Sequence, residues 1–130
     1  KNILLVNPNE RYCIDNIEFS TIPAYNTDKD FHKKEYNWVG YIVNIDDKII
    51  YFAGDTDNTK EARNVKCDIA FIPIGGTYTM DYKQAADLTN AINPEIVVPM
   101  HYQTIVGTIE DAYKFKKLIN NKTKVEILMK

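Results

Sequence analysis

The chain has 130 residues, 45% of them hydrophobic and 26% charged, which is enough for one domain with a packed core and too apolar for a disordered tail. Its 16 basic and 18 acidic residues give a net charge of -2 and are mixed along the whole length, so no basic stripe exists to follow a phosphate backbone and nucleic acid is disfavoured as a partner. Cys13 and Cys67 stand far apart with no C-x-x-C spacing, which supplies neither a zinc knuckle nor a disulfide framework; both read as small buried hydrophobes in a reducing cytoplasm.

The apolar runs "EIVVPM" and "DIAFIPI" are too short to span a bilayer, and "KNILLVNPNE" lacks the build of a signal peptide, so no membrane partner is expected. The first residue is Lys, which fits a processed chain or a fragment. From there, β-branched and aromatic runs at residues 2–6, 12–14 and 17–22 predict strands, with "NPNE" and "DN" as the turns between them. The segment "AYNTDKDFHKKEYN" is polar and irregular, and a loop this long in a compact domain is functional or mobile. Residues 38–45 and 48–53 predict two more strands, split by Asp46 and Asp47, an acidic pair suited to a tight hairpin.

Beyond residue 60 the pattern changes. "CDIAFIPI", "PEIVVPM" and "KVEILMK" predict buried strands separated by two helices, the alternation of an α/β layer. Asp81 can cap a helix running to about Ile92, and Thr108 with Asp111 three residues later resembles a capping box with a shortened acid. Ala85, Leu88, Ala91 and Ile92 form one apolar stripe, and Ala112, Phe115, Leu118 and Ile119 another, so both helices cover one face of a mixed sheet. No repeat, low-complexity tract or linker interrupts residues 1–130, which predicts a single domain.

In α/β sheets ligands gather beyond the carboxyl ends of the strands, and three sets of polar residues stand there. "GDTDN" follows one strand and presents Asp55 with Thr56 and Asp57. "GGTYTMD" follows another, with Gly75 and Gly76 permitting close backbone approach and Thr77, Tyr78 and Thr79 supplying hydroxyls. "MHYQT" puts His101 and Tyr102 at the end of a third. An imidazole and a carboxylate converging at one sheet edge suit zinc, iron or manganese. The competing readings are plain: Asp55 as a turn cap, His101 as a satisfied polar residue near the core, His32 as a solvated loop histidine, and the glycine pair as a tight turn. "DTDNT" also matches the D-x-D-x-T nucleophile motif of haloacid-dehalogenase-like phosphatases, in which the first Asp attacks phosphorus with Mg²⁺ bound. No later acidic pair follows at a strand end, and the preceding strand closes a hairpin. A calcium loop is excluded because Lys60 stands where the loop glycine belongs.

Taken together, "TIPAYN", "FHKKEYNWVGYIV", "IIYFAGDTD", "CDIAFIPIGGTYTMDYKQAA" and "NPEIVVPMHYQTIVG" resemble the metallo-β-lactamase-fold hydrolases, in the branch of small lactonase-like and uncharacterised metal-dependent enzymes. The resemblance runs from about Ile17 to Gly107. It implies half of a four-layer αββα sandwich, a two-metal site holding zinc with manganese or iron as alternatives, and hydrolysis of an ester, lactone or phosphoester in a small-molecule substrate by metal-activated water. It implies that Asp55 bridges the metals and that His101 binds one of them, with Asn26, Gly75, Gly76, Thr77 and Tyr102 close to substrate or ligands.

Two departures go with it. The family's H-x-H-x-D-H motif is absent, so the chain resembles the C-terminal half of the fold, is expected to be inactive alone, and leaves a sheet face open to homo-oligomer formation. Where relatives carry a metal-binding His after a "PA" step, this chain has Asn26, and the nearest histidine is His32. Either His32 reaches back to the metal or that ligand is missing, and in the second case the chain is a binding module without catalysis.

Overall fold

The computed structural model describes residues 2–129. Seven strands form one sheet in sequence order: β1 (Arg11–Ile14), β2 (Ile17–Pro23), β3 (Val39–Ile45), β4 (Lys48–Phe52), β5 (Ile69–Pro73), β6 (Ile96–Met100) and β7 (Lys124–Val125). β1 to β4 run antiparallel, through two-residue turns at β1–β2 and β3–β4 and the long loop between β2 and β3, and β4 to β7 run parallel through α1 (Lys60–Arg63), α2 (Tyr82–Ile92) and α3 (Ile109–Leu118). The split follows from the connections, because a two-residue turn can only reverse a strand whereas a parallel neighbour needs a crossover.

Both tight turns use the residues expected of them. Asp15 and Asn16 have φ of 48° and 66°, and Asp46 and Asp47 have 48° and 61°. Two successive left-handed residues match the right-handed twist of the flanking strands, and Asp and Asn tolerate that backbone. The helix starts are equally local. Asp81 accepts hydrogen bonds from the Lys83 and Gln84 amides while the Gln84 side-chain oxygen accepts one from the Asp81 amide, and Thr108 and Asp111 form the same reciprocal box.

Alternation along the strands sorts the two sheet faces. Tyr51, Ala70 and Val97 lie in one row across β4, β5 and β6, all fully buried with Ile72 against Leu88, Ala85, Ala112 and Phe115 of the helices. The next row, Tyr41, Phe52 and Phe71, points to the opposite face, where Phe52 and Phe71 stack at 4.8 Å and Tyr41 and Phe52 remain partly exposed. Helices therefore cover one face of a mixed sheet, although Ala91 and Leu118, expected in the two apolar stripes, are exposed because they lie at the helices' outer edges. No helix among the described residues is long and apolar enough to cross a membrane.

Several expectations fail for physical reasons. Residues 2–6 form no strand: Ile3 and Leu5 are exposed and no ladder reaches them, and β-branched residues make a strand only where a neighbour offers a pleated surface. The last strand pairs only over Lys124–Val125, with Leu128 exposed. Cys13 is exposed rather than buried because its alternate position on the edge strand β1 faces away from the core. Cys67 is half-buried, and burial pushes its thiol up to about 12, which makes it unreactive. α1 and a 3-10 turn at Lys34–Tyr36 escape the periodicity analysis because neither is long enough to show a period.

The sheet directions set up the functional edge. β2 and β4 both pair antiparallel with β3, so they share a direction with β5 and β6, and the carboxyl ends of all four lie on one side. The loop after β2 is fixed there by α1: the Glu61 carboxylate accepts from the Tyr25 hydroxyl at 2.8 Å and from the Lys34 ammonium at 3.0 Å. Burial would raise the Glu61 pKa, but these two partners outweigh it and hold the carboxyl at about 2. A carboxyl depressed in the folded state adds stability above its unfolded value of about 4.3 and loses it as pH falls toward the folded one. Urea midpoints for the native protein should therefore drop more steeply between those values than midpoints for Glu61→Gln; parallel profiles would show that the contact carries no linkage.

Candidate metal centre

Gly54 follows β4 with φ +68°, a left-handed step that swings the chain past the sheet edge and presents Asp55 beyond the carboxyl end of the strand. The next two side chains turn back into the protein. Thr56 is fully buried, its hydroxyl accepting from the Tyr25 amide at 3.2 Å. Asp57 is buried too, and its carboxylate takes the Thr27 amide at 2.8 Å, the Thr27 hydroxyl at 3.2 Å and the Lys29 ammonium at 2.8 Å. In "GDTD", the first Asp faces outward while the Thr and second Asp clamp the loop after β2. Asp57 is thus committed to the loop, which removes the acid/base partner that the phosphatase reading of "DTDNT" requires.

That clamped loop carries His32. Its carbonyl accepts from the Asn26 amide at 2.8 Å, closing the loop on itself, and its imidazole Nε2 lies 3.2 Å from Asp55 Oδ2. His101 follows β6 directly and sets Nδ1 2.8 Å from Asp55 Oδ1. The two histidines therefore address different oxygens of one carboxylate. Both take left-handed backbone, φ 49° at His32 and 57° at His101, a conformation that costs about 1 kcal/mol or more in a residue with a Cβ. The His101 hydrogen bond holds the Asp55 carboxyl below the usual carboxylate range, and Asp55 in turn raises the His101 pKa.

The His32 tautomer follows from its other nitrogen. Nδ1 is 3.2 Å from the Tyr78 carbonyl oxygen, which can only accept, so a proton is assigned to Nδ1, and Nε2 is the nitrogen that faces Asp55. Asn26 Nδ2 donates to the same carbonyl at 2.8 Å and lies 3.3 Å from the imidazole. Asn26 is thus an amide that braces the ring, and of the two alternatives it is His32 that reaches Asp55. A carbonyl holding the far nitrogen of an imidazole is the usual support for a metal-binding histidine.

The double-glycine segment behaves differently from its expected role. A Cβ on Gly75 would lie 2.4 Å from the His101 carbonyl oxygen and 2.7 Å from Val106 Cγ2, so this glycine lets the end of β5 pack against the His101 backbone instead of against a ligand. The Gly76 amide is taken by the Met80 carbonyl at 3.0 Å, and both Gly76 and Thr77 face solvent. Tyr78 and Thr79 line the cavity beside Asp55, as does Tyr102, which is buried with its hydroxyl donating to the Met129 carbonyl at 2.8 Å. The signal for Tyr78 was its place after the glycines; the clamp role of Asp57 left no mark that sequence spacing reveals.

One carboxylate and two imidazoles, one with its tautomer set by a carbonyl, suit a divalent transition metal in kind. Among the described residues no three His, Cys, Asp or Glu side chains gather to hold a single ion. The structure brings one imidazole to each oxygen of a single carboxylate. Asp57→Ala tests the clamp. It should lower stability by about 1–3 kcal/mol by leaving the Thr27 amide without its acceptor and Lys29 with only the exposed Asp28 as partner, and should speed hydrogen exchange at the Thr27 and Asn26 amides more than tenfold. Unchanged protection at Thr27 would remove Asp57 from this role.

Comparison with known proteins agrees with the architecture. A family model described as a beta-lactamase superfamily domain matches residues 1–101. The chain is 38% identical over 120 residues to a UPF0173 metal-dependent hydrolase of Pyrococcus furiosus, covering 88% of this chain and 53% of that protein. A second UPF0173 metal-dependent hydrolase, from Thermococcus onnurineus, is 36% identical over 120 residues, covering 88% and 54%. Among solved structures, a metallo hydrolase of Ignicoccus hospitalis superposes with a TM-score of 0.76 at 29% identity, covering 96% of this chain and 57% of that one. A Parabacteroides distasonis protein, described provisionally as a metal-dependent hydrolase, superposes with a TM-score of 0.82 at 28% identity, covering 95% and 56%. The chain spans about half the length of the curated relatives it matches. With its matched domain, its sheet and its relatives in agreement, the chain belongs to the metallo-β-lactamase superfamily.

Proposed function

We propose that this chain supplies the bridging carboxylate and two imidazole ligands of a metal-dependent hydrolase site that acts on an ester, lactone or phosphoester of a small molecule. The observation that carries the reading is the division of Asp55 between His101 on Oδ1 and His32 on Oδ2. The relatives' designation as metal-dependent hydrolases supports it.

The residues would hold zinc, with manganese or iron accepted by the same donors, and the metal when bound supplies the Lewis acidity that makes water nucleophilic near neutral pH. Asp55 would be the ligand common to both metal positions. His32 is oriented by the Tyr78 carbonyl and braced by Asn26, while His101 is fixed by its place at the end of β6 and by Gly75 behind its backbone. Hydrolysis adds water across the scissile bond, forming one bond from its oxygen to the carbonyl carbon or phosphorus and passing its proton to the departing alcohol. Since Asp55 and the two histidines are all occupied as ligands in this reading, the chain alone lacks a free acid/base group and is expected to turn over slowly or not at all.

Calorimetric titration of metal-free protein with Zn²⁺ tests the assignment. Asp55→Ala should abolish binding tighter than surface affinity, and His32→Ala and His101→Ala should each weaken it at least tenfold. Unchanged affinity and stoichiometry in Asp55→Ala and His101→Ala would sink the reading.

A further inference from the structure

The Asp55 pair closes one end of a cavity of about 490 Å³, within the size range of small-molecule sites. Apart from the uncharged Thr79 and Thr104, the rest of the lining is apolar: Met100, Ile105, Val106 and Met129, with the rings of Tyr78 and Tyr102. The Tyr102 hydroxyl is already spent on the Met129 carbonyl, so it offers no free donor there. Ile105 is 86% exposed, a large aliphatic side chain at the cavity wall that packs against nothing in the core. Among the described residues lining this cavity there is no Lys and no Arg.

Charge and shape together narrow the substrate. A phosphoester keeps a negative charge along its whole reaction path, and sites built for one surround it with Arg, Lys or clustered amides. Here the lining has no cation and only the Thr79 and Thr104 hydroxyls would meet that charge away from the metal positions, so the walls favour an uncharged group. An uncharged ester has the opposite balance, because its hydrocarbon portion gains by leaving water while its single carbonyl meets the polar end. We propose that the cavity binds the apolar acyl or alkyl portion of a small uncharged carboxylic ester, open-chain or cyclic, with the ester group at the end formed by Asp55, His32 and His101. This rests on the hydrolase reading for the word ester, but the apolar specificity is a property of the walls and is measurable without metal or turnover.

The chain's three methionines provide the readout. Met100 and Met129 line the cavity, whereas Met80 is fully buried and is not part of its lining. Protein carrying ¹³C-methyl methionine, kept metal-free with a chelator, is titrated with hexanamide, an uncharged and unreactive mimic of an acyl chain, and in parallel with butyl phosphate. Hexanamide should shift the Met100 and Met129 methyls saturably and leave Met80 in place, butyl phosphate should bind at least tenfold more weakly, and Ile105→Asp should weaken hexanamide at least tenfold. The proposal is overturned if Met100 and Met129 do not respond to hexanamide, if butyl phosphate binds as tightly, or if Ile105→Asp binds hexanamide as the native protein does. Zn²⁺ calorimetry that fails while the methyl shifts appear would instead remove the hydrolase reading and leave the apolar ligand site standing.

Discussion

The site depends on one carboxylate that has to satisfy two imidazoles from opposite sides. Asp55 stands at the edge of the sheet, with His101 Nδ1 at 2.8 Å on one oxygen and His32 Nε2 at 3.2 Å on the other. A carboxylate in that position requires that two segments far apart in sequence end within hydrogen-bonding distance of it. One comes directly off β6. The other comes at the tip of a loop that has no strand or long helix to hold it, and the surrounding structure can be understood as the means of holding that loop. Asp57 anchors it at Thr27 and Lys29, Thr56 at Tyr25, and Glu61 at Tyr25 and Lys34. The three residues from Asp55 to Asp57 thus do two jobs at once, with one acid facing the site and the next acid facing the protein.

The same edge explains why the sheet changes direction at β4. An antiparallel pair brings β2 and β4 to the same side, and parallel crossovers bring β5 and β6 there as well. Four strand ends then deliver the His32 loop, Asp55, the Tyr78 segment and His101 to one place. Gly54, His32 and His101 take left-handed backbone there too. Strain of this kind persists only where neighbours over-determine it, and the contacts on the His32 loop and the close approach of Gly75 to His101 are such neighbours. Beyond the polar end the cavity turns apolar, so the region that would bring a substrate to the carboxylate differs in chemistry from the carboxylate itself.

Much of this was legible in the sequence where the cause is local. The hairpins at Asp15–Asn16 and Asp46–Asp47 and the boxes at Asp81 and Thr108 depend on a few adjacent side chains, and they form where the residues say they should. Asp55 and His101 were legible because strand ends are positions that can be read from apolar runs. His32 was legible only as one of two alternatives, because nothing within its own loop distinguishes it from a surface histidine; its position depends on Asn26, Asp57 and Tyr78, which are brought to it by the fold. The glycine pair misleads for a related reason. A glycine that admits a ligand and a glycine that admits a neighbouring carbonyl look the same in sequence, and only the His101 backbone next to Gly75 separates them. Residues 2–6 have strand-like composition but no pairing surface, which composition cannot reveal.

The central claim is that Asp55 is shared between two metal positions, each with its own histidine. Anomalous diffraction from crystals of zinc-loaded protein measures this directly. The account predicts two peaks, both within about 2.2 Å of an Asp55 oxygen, one also bound by His101 and the other by His32. Zinc density that leaves the Asp55 carboxylate unbound, or that places both histidines on a single ion with Asp55 on neither side of it, would contradict it.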